Sequence, residues 1–333
     1  MVAFIKLIRL PNLLIIALTQ YALRYGLMYP LLEASGIHLQ MGQFLFFLLV
    51  LSSVLLAAGG YIINDYFDTK IDLVNKPHHI IIGRSISRKN ALILYFLITF
   101  LGLLPGLYVA VKIGALWLFS IQLISAILLW HYSKYTKRMM LAGNITIAVL
   151  SATIPLIPGL YELILIENNS AKIIQGLHSI SGHHLPTLIS RFNTGWSYVL
   201  FWIFGYAIFA FLLTLIREIV KDMEDIEGDM LQLCKTFPIV YGLKKSIILS
   251  LLLILICISI LSLVQVYQLF RKEYISFLYF AVLIQAPLVI LIYKLSHARK
   301  KTDFRFCSSL VKFIMLMGIS YTALVYIKYI YFS

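Results

Sequence analysis

Long stretches that are almost free of charge constrain most strongly what this chain can fold into. One of them, SIILSLLLILICISILSLVQVY at residues 246–267, contains no acidic or basic side chain. About 20 predominantly apolar residues are enough to span the hydrocarbon core of a bilayer as an α-helix. The stretches are continuously apolar rather than alternating, which argues against a transmembrane β-barrel. We therefore predict an all-α integral membrane protein.

Nine such stretches are candidate transmembrane helices. The composition agrees, because 61% of the 333 residues are hydrophobic and only 13% are charged, whereas soluble domains carry about 25% charged residues. The predicted spans lie near residues 12–32, 44–63, 91–111, 114–132, 141–161, 197–217, 246–267, 274–294 and 310–330.

Basic residues collect in the connections on one side of these spans. Cytoplasmic connections of membrane proteins are enriched in Lys and Arg, so this side is predicted to be cytoplasmic and the protein to be a multi-pass protein of the cell's inner membrane. The net charge of +14 is then explained by topology and by contact with anionic membrane lipids. A nucleic-acid partner is not expected, because the basic residues lie in short connections rather than on a soluble domain.

The few acidic residues are concentrated in two matching clusters. NDYFDTKID at residues 64–72 and DMEDIEGD at residues 222–229 share the spacing D-x-x-D-x-x-x-D, and each follows an apolar stretch. The segments 64–72 and 218–229 together hold nine of the 14 Asp and Glu residues. Both clusters fall on the predicted cytoplasmic side.

This spacing has a chemical consequence if the two spans continue as helices past the bilayer. Positions i, i+3 and i+7 lie on one helix face, so each cluster would present three carboxylates side by side. Adjacent carboxylates repel one another unless a cation neutralises them. Mg²⁺ prefers oxygen ligands and is commonly held by one or two carboxylates together with substrate phosphates. The two clusters therefore predict a Mg²⁺–diphosphate site.

Taken with their flanking residues, these motifs resemble the UbiA superfamily of intramembrane prenyltransferases. NDYFDTKID and REIVKDMEDIEGD (residues 217–229) match the two acidic motifs of that family, while RLPN (9–12), GRSISRKNAL (83–92) and YSKYTKR (132–138) resemble supporting motifs. The resemblance implies a helical bundle around a central cavity, built as a single membrane domain over residues 1–333. Two pseudo-repeats, 1–140 and 141–333, are expected within it.

The resemblance also implies a reaction and roles for named residues. Family members bind an isoprenoid diphosphate through Mg²⁺, the diphosphate leaves, and an acceptor attacks the allylic cation that remains. By position, the metal ligands would be Asn64, Asp65, Asp68, Asp72, Asp222, Asp225 and Asp229. The residues expected to meet the departing diphosphate are Tyr132, Lys137, Arg138 and Arg84, and those expected to contact substrate are Arg9, Asn12 and Lys221.

The acceptor is less constrained than the donor. The segment from REIVKDMEDIEGD to KTFPIVYG (235–242) most resembles the branch that prenylates geranylgeranylglyceryl phosphate, which favours a lipid-like alcohol. An aromatic acceptor of quinone biosynthesis, a terpene cyclase without acceptor and a cation-coupled transporter stay open as alternatives. NKPHHIIIGR (75–84) departs from the family pattern, and the outer connection at 162–196 has no counterpart that we can assign.

Overall fold

The computed structural model describes residues 2–75, 81–181, 185–231 and 233–332, and the side chains of residues 70–75 are not described. The described residues are almost entirely helical. The helices, numbered along the chain, are α1 Val2–Leu7, α2 Leu10–Tyr21, α3 Tyr29–Glu33, α4 Gln43–Asn75, α5 Arg88–Lys112, α6 Phe119–Lys134, α7 Met140–Asn168, α8 Ser170–Ser181, α9 Leu185–Glu224, α10 Ile226–Met230, α11 Phe237–Tyr241, α12 Leu243–Phe270, α13 Tyr274–Tyr279, α14 Ala286–Ser296 and α15 Lys301–Phe332.

Eight helical segments in the described part of the chain are long and apolar enough to cross a membrane. They correspond to eight of the nine predicted spans. The ninth prediction, 12–32, falls on α2, a π-helical stretch Ala22–Met28 and α3. None of these three pieces reaches the length of a span by itself, so the all-α membrane fold is confirmed while the count of nine is not.

The connection expected at 162–196 is largely helical rather than a loop. Helix α7 continues to Asn168, α8 follows at Ser170–Ser181, and α9 begins at Leu185. The polar run ENNS marks only the junction between α7 and α8, where Asn168 Nδ2 donates to the carbonyl oxygen of Ile113 at 3.1 Å. The neighbouring His183 and His184 lie outside the described residues.

The helices pack as a bundle in which small residues allow close approach. Gly102 of α5 faces α4, and a Cβ added there would lie 3.1 Å from the backbone nitrogen of Leu56. Small residues at such crossings let membrane helices approach closely. Helix α4 packs against α5 and α6, α7 packs against α9, and α9 also packs against α12 and α15.

The first acidic motif is carried by one long helix, whereas the helix that carries the second motif is interrupted. Helix α4 runs through the first motif to Asn75, whereas α9 ends at Glu224 and α10 begins at Ile226. Asp225 sits between them with φ −103° and ψ 11°. Asp competes with the helical backbone through local hydrogen bonds, which favours a break at this residue. The second triplet therefore does not lie on one continuous helix face.

Candidate active site

A single large cavity connects the two acidic motifs. Its volume is about 2360 Å³, and its walls come from α2, α4, α6, α7, α9, α12 and α15. Most of the predicted site residues line it, namely Arg9, Asn12, Asn64, Asp65, Asp68, Tyr132, Lys137, Arg138, Lys221, Asp222, Asp225 and Asp229. The end of the cavity that carries these residues is called the aspartate end below.

The first motif is held by two basic residues from other parts of the chain. Arg9 Nη2 donates to Asp65 Oδ1 at 2.8 Å, and its guanidinium lies 4.9 Å from the centre of the Tyr61 ring. Lys137 donates to Asp68 and, at 3.3 Å, to Asn64 Oδ1. Asn64 Nδ2 in turn donates to Asp68 Oδ2 at 2.8 Å. Each described carboxylate of the first motif thus has a cationic partner.

Lys137 reaches the first motif because the short turn that carries it is packed tightly. Thr136–Arg138 forms one 3₁₀ turn between α6 and α7. Gly143 of α7 lies against this turn, and a Cβ there would be 2.8 Å from the carbonyl oxygen of Thr136. The backbone nitrogen of Lys235 also donates to the carbonyl oxygen of Arg138 at 2.9 Å. These contacts fix the turn at the mouth of the cavity.

The second motif is held mainly by neutral and longer-range contacts. Asn144 Nδ2 donates to Asp222 Oδ2 at 2.8 Å, while Lys301 Nζ lies 3.8 Å from Asp225 Oδ1. Burial, together with the charge of Asp225, raises the pKa of Asp229 to about 6. A carboxyl with such a pKa is held ionised more readily when a cation lies beside it.

The two motifs face each other across the aspartate end. Helix α10, which carries Asp229, packs against α4, and Asp229 lies within range of the charges of Asp68 and Lys137. Among the described residues, no three acidic, His or Cys side chains converge closely enough to form a metal site by themselves.

The residues fit Mg²⁺ bound jointly with a substrate. Mg²⁺ keeps several waters and takes one or two carboxylates plus phosphate oxygens, so a cage made only of protein ligands is not required. Carboxylate and amide oxygens from two helices supply the correct donor chemistry. Asp65 and Asp68 are already paired with the cationic groups of Arg9 and Lys137.

Two predicted residues are not placed at the cavity. Arg84 lies in the short turn that precedes α5, where it is exposed and does not line the cavity. Asp72 belongs to α4, but its side chain is outside the described residues. The roles assigned to both stay predictions.

Sequence reasoning assigned no role to several charged and polar residues of the cavity wall. Asn144 is a lone amide in the apolar stretch LAGNITIAVL, and Glu218 precedes Asp222 by one helical turn. Arg217 and Lys312 also line the cavity. An isolated polar residue within an apolar span was the available signal, since such residues usually face the interior of a bundle.

Beyond the aspartate end the cavity wall becomes apolar and aromatic. Its lining includes Phe201, Phe204, Ile208, Phe209 and Leu213, all from α9. The cavity continues to the opposite end of the bundle, where the hydroxyl oxygens of Tyr198 and Tyr267 lie 2.9 Å apart. An elongated apolar chain can therefore lie along α9 while a polar head remains among the aspartates.

Comparison with known proteins places this arrangement in a family. The model of the UbiA prenyltransferase family matches residues 26–317. The digeranylgeranylglyceryl phosphate synthase of Methanobrevibacter smithii is 33% identical over 227 residues, covering 68% of this chain and 69% of that protein. The synthase of the same name from Saccharolobus solfataricus is 33% identical over 258 residues, covering 76% of this chain and 75% of that protein.

Solved structures show the same fold. A structure described as digeranylgeranylglyceryl phosphate synthase in membranes superposes with a TM-score of 0.63 at 23% identity, covering 98% of both chains. A UbiA homologue from Archaeoglobus fulgidus bound to DMAPP and Mg²⁺ superposes with a TM-score of 0.52 at 17% identity, covering 94% of this chain and 98% of that one. The likeness extends over almost the whole chain. This protein is a member of the UbiA prenyltransferase family.

Proposed function

We propose that the protein transfers a prenyl group from an isoprenoid diphosphate to the hydroxyl of a prenylated glycerol phosphate, forming an ether and releasing diphosphate. One observation carries the proposal: two acidic motifs and Lys137 meet at one end of a cavity whose remaining wall is mostly apolar. The names of the relatives from Methanobrevibacter smithii and Saccharolobus solfataricus support a glyceryl phosphate lipid as the acceptor.

The acidic motifs would bind the donor headgroup. Asn64, Asp65 and Asp68 from α4 face Asp222, Asp225 and Asp229 from the end of α9 and from α10, and Asp72 is assigned to the same set by its place in the motif. When bound there, Mg²⁺ would neutralise the diphosphate and make it a better leaving group. The structurally similar Archaeoglobus fulgidus homologue is bound to DMAPP and Mg²⁺, which supports this assignment.

Basic residues beside the motifs would stabilise the departing diphosphate. Lys137 donates hydrogen bonds to Asp68 and Asn64. A small rotation of its side chain can therefore move the ammonium group onto a phosphate bound beside Asp68. Arg138 and Tyr132 line the same cavity. Arg9 also lines it and donates a hydrogen bond to Asp65. Donors held beside a developing negative charge stabilise it and lower the barrier.

The apolar part of the cavity would hold the prenyl chain and keep water from the allylic cation. Phe201, Phe204 and Phe209 line it, together with Trp202 and Tyr206. Aromatic faces attract cations, and the exclusion of water protects a reactive intermediate from hydrolysis. The acceptor hydroxyl is then the available nucleophile.

We also propose that the aspartate end faces the cytoplasm of the cell. The opposite end of the bundle carries only seven of the 28 Lys and Arg residues, namely Arg24, Lys112, Lys172, Arg191, Arg271, Lys272 and Lys328. This asymmetry follows the positive-inside rule. Labelling of single cysteines placed at residues 272 and 300 in intact cells tests it, with labelling from outside expected at residue 272 alone.

A release assay tests the proposed reaction. Purified protein in detergent is incubated with geranyl, farnesyl or geranylgeranyl diphosphate, with and without a prenylglycerol phosphate or an aromatic acid, over a range of Mg²⁺ concentrations. Diphosphate release is expected only with Mg²⁺ and the glycerol phosphate lipid, with an ether as the product. Release with no acceptor would indicate a cyclase, and release only with the aromatic acid would indicate carbon prenylation.

Matched variants complete the assay. Asp68→Asn and Asp222→Asn are expected to lower turnover about 100-fold or more, since each removes a charged group from the site. Asp303→Asn is the control, because Asp303 lies outside the cavity and accepts only from the backbone nitrogens of Arg299 and Lys300. Full activity of both motif variants would contradict the proposed site.

A further inference from the structure

Three basic residues form a group in the cavity wall beside the proposed metal site. Arg217 and Lys221 are one turn apart on α9, and Lys312 projects from α15 into the same cavity. Arg217 precedes Asp222 by five residues, so it lies about 7 Å further along α9, away from the aspartate end. The three residues are called the basic triad below.

The register of α9 and α15 places the triad members together. Arg305 Nε of α15 donates to Glu224 Oε1 of α9 at 3.0 Å, which marks the antiparallel register of the two helices. Seven residues onward along α15 lead to Lys312, and seven residues back along α9 lead to Arg217. Seven residues of helix cover about 10 Å, and both segments run away from the aspartate end. Lys312 and Arg217 therefore lie at about the same height along the two helices. Lys312 accordingly lies within range of the charges of Arg217 and Lys221.

Only one member of the triad forms an ion pair with a described acidic side chain. Arg217 Nη1 contacts Glu218 Oε1 at 2.5 Å, whereas Lys221 and Lys312 make no salt bridge within 4 Å to any described acidic side chain. Glu218 is the acid within range of all three, while Asp222 and Asp229 also lie within range of Lys221, and Glu224, which is paired with Arg305, lies within range of Lys312. Cations within membrane-spanning helices usually face the interior of the bundle and mark a binding site for a specific partner.

The charge of the triad matches a phosphomonoester. A phosphate monoester carries about −1.5 to −2 charges at neutral pH and offers three acceptor oxygens. Arg binds such groups through two parallel hydrogen bonds, and Lys adds a point charge. A diphosphate held by Mg²⁺ belongs among the aspartates, where Arg9 and Lys137 are already engaged.

We propose that Arg217, Lys221 and Lys312 bind the phosphate of the acceptor, a glycerol phosphate lipid, and so hold its free hydroxyl toward the donor; this rests on the proposed function. The reaction forms a bond between the acceptor oxygen and C1 of the donor and breaks the bond between C1 and the diphosphate oxygen. The hydroxyl proton is released, and the acceptor phosphate is unchanged. The triad therefore selects acceptors that carry phosphate.

Steady-state kinetics with two acceptors test the triad. Lys312→Met is compared with wild type using prenylglycerol phosphate and the same prenylglycerol without its phosphate. Loss of a charge-assisted hydrogen bond is expected to raise KM for the phosphorylated acceptor about 10- to 100-fold. The KM for the donor and turnover of the unphosphorylated alcohol are expected to stay within about 2-fold, since neither involves this contact. Lys312→Arg is expected to recover most of the loss.

A matched control and two contrary outcomes define the kinetic test. Lys294→Met removes a basic residue that lies over the Phe306 ring outside the cavity, and it is expected to behave as wild type. A raised KM for the donor in Lys312→Met would assign the triad to the diphosphate instead. An equal loss with both acceptors would indicate a structural role, and either outcome overturns the proposal.

Equilibrium binding separates this site from the reaction itself. Binding of prenylglycerol phosphate to wild type and to Lys312→Met is measured without donor or Mg²⁺, with inorganic phosphate and phosphatidic acid as competitors. Weaker binding by the variant is expected, and competition by phosphatidic acid alone would show that the lipid tail is needed. If wild type transfers no prenyl group but its binding of prenylglycerol phosphate depends on Lys312, the phosphate site is supported and the proposed reaction is wrong. If transfer occurs but binding is the same in both proteins, the triad proposal fails alone.

Discussion

The side-chain amide of Asn144 donates a 2.8 Å hydrogen bond to Oδ2 of Asp222, which ties α7 to the second acidic motif. This contact orients a carboxylate that is otherwise buried in the cavity wall. Residues that orient a metal ligand commonly affect metal affinity as much as some ligands do. Asn144 is thus a positioning residue for the proposed Mg²⁺ site.

Replacement of Asn144 is expected to weaken the response to Mg²⁺. Asn144→Ala leaves Asp222 without its donor, so the Mg²⁺ concentration for half-maximal turnover is expected to rise about 10- to 100-fold. Asn168→Ala is the matched control, because Asn168 lies at the other end of α7 and donates to the backbone of Ile113. An unchanged Mg²⁺ dependence in Asn144→Ala would show that this contact does not support the metal.

Lys137 is expected to act on turnover rather than on metal binding. In Lys137→Met the departing diphosphate loses a donor, and kcat is expected to fall about 100- to 1000-fold. The same change removes a cation that competes for Asp68, so the Mg²⁺ requirement is expected to stay the same or to decrease. Lys134→Met, which alters an exposed lysine outside the cavity, is the control. A large rise in the Mg²⁺ requirement would contradict this division of roles.

Gly205 provides a test of where the prenyl chain lies. It lines the cavity 17 residues before Asp222, about 25 Å along α9, and a Cβ there would meet nothing within 4 Å. Gly205→Leu is expected to fill this space without unfolding the protein. The ratio of kcat/KM for geranylgeranyl over geranyl diphosphate should then fall about 10-fold, because burial of about two methylenes is lost. An unchanged ratio would place the donor chain elsewhere.

The buried ion pair at the opposite end of the bundle is expected to matter for stability. Arg24, in the π-helical stretch Ala22–Met28, lies 3.2 Å from Glu162 Oε2, and both side chains are almost fully buried. Glu162 Oε1 also accepts from the backbone nitrogens of Gln40 and Met41. Removal of one member of such a pair leaves an unpaired buried charge, which costs about 3–5 kcal/mol.

Thermal unfolding in detergent tests this pair. Glu162→Leu is expected to lower the unfolding temperature strongly, and the double variant Arg24→Met with Glu162→Leu is expected to recover part of the loss, since no charge is left unpaired. His38→Ala, which disrupts the more exposed contact with Glu33, is the control and is expected to cost less than about 1 kcal/mol. Equal effects of the single and double variants would argue against this account.

The sequence predicted the parts of the fold and site that depend on local pattern. Long apolar stretches identified the membrane helices, and the spacing of Asp65 and Asp68 placed them together on α4 because that helix continues unbroken. The break at Asp225 was not predicted, since it depends on how a single residue balances local hydrogen bonds against the helix. The helix α8 was missed because the polar residues at 167–170 mark a junction as readily as a loop.

Contacts between distant parts of the chain could not be read from the sequence. Asn144 meets Asp222 because α7 and α9 pack together, and Lys312 reaches the cavity because α15 packs against α9 in the register marked by the contact of Arg305 with Glu224. Arg84 was assigned to the site by its motif, and the structure places it in an exposed turn outside the cavity lining, so its role stays a prediction. The spacing of residues along one helix does not predict which helix packs against it or in what register.

Binding of an unreactive thio analogue of geranylgeranyl diphosphate tests most directly whether the two acidic motifs act together on one Mg²⁺–diphosphate. The measurement compares wild type, Asp68→Asn and Asp222→Asn with and without Mg²⁺. Our account predicts tight binding by wild type only with Mg²⁺, and binding weakened at least about 10-fold by either substitution. Tight binding without Mg²⁺, or binding that either variant leaves unchanged, would contradict it.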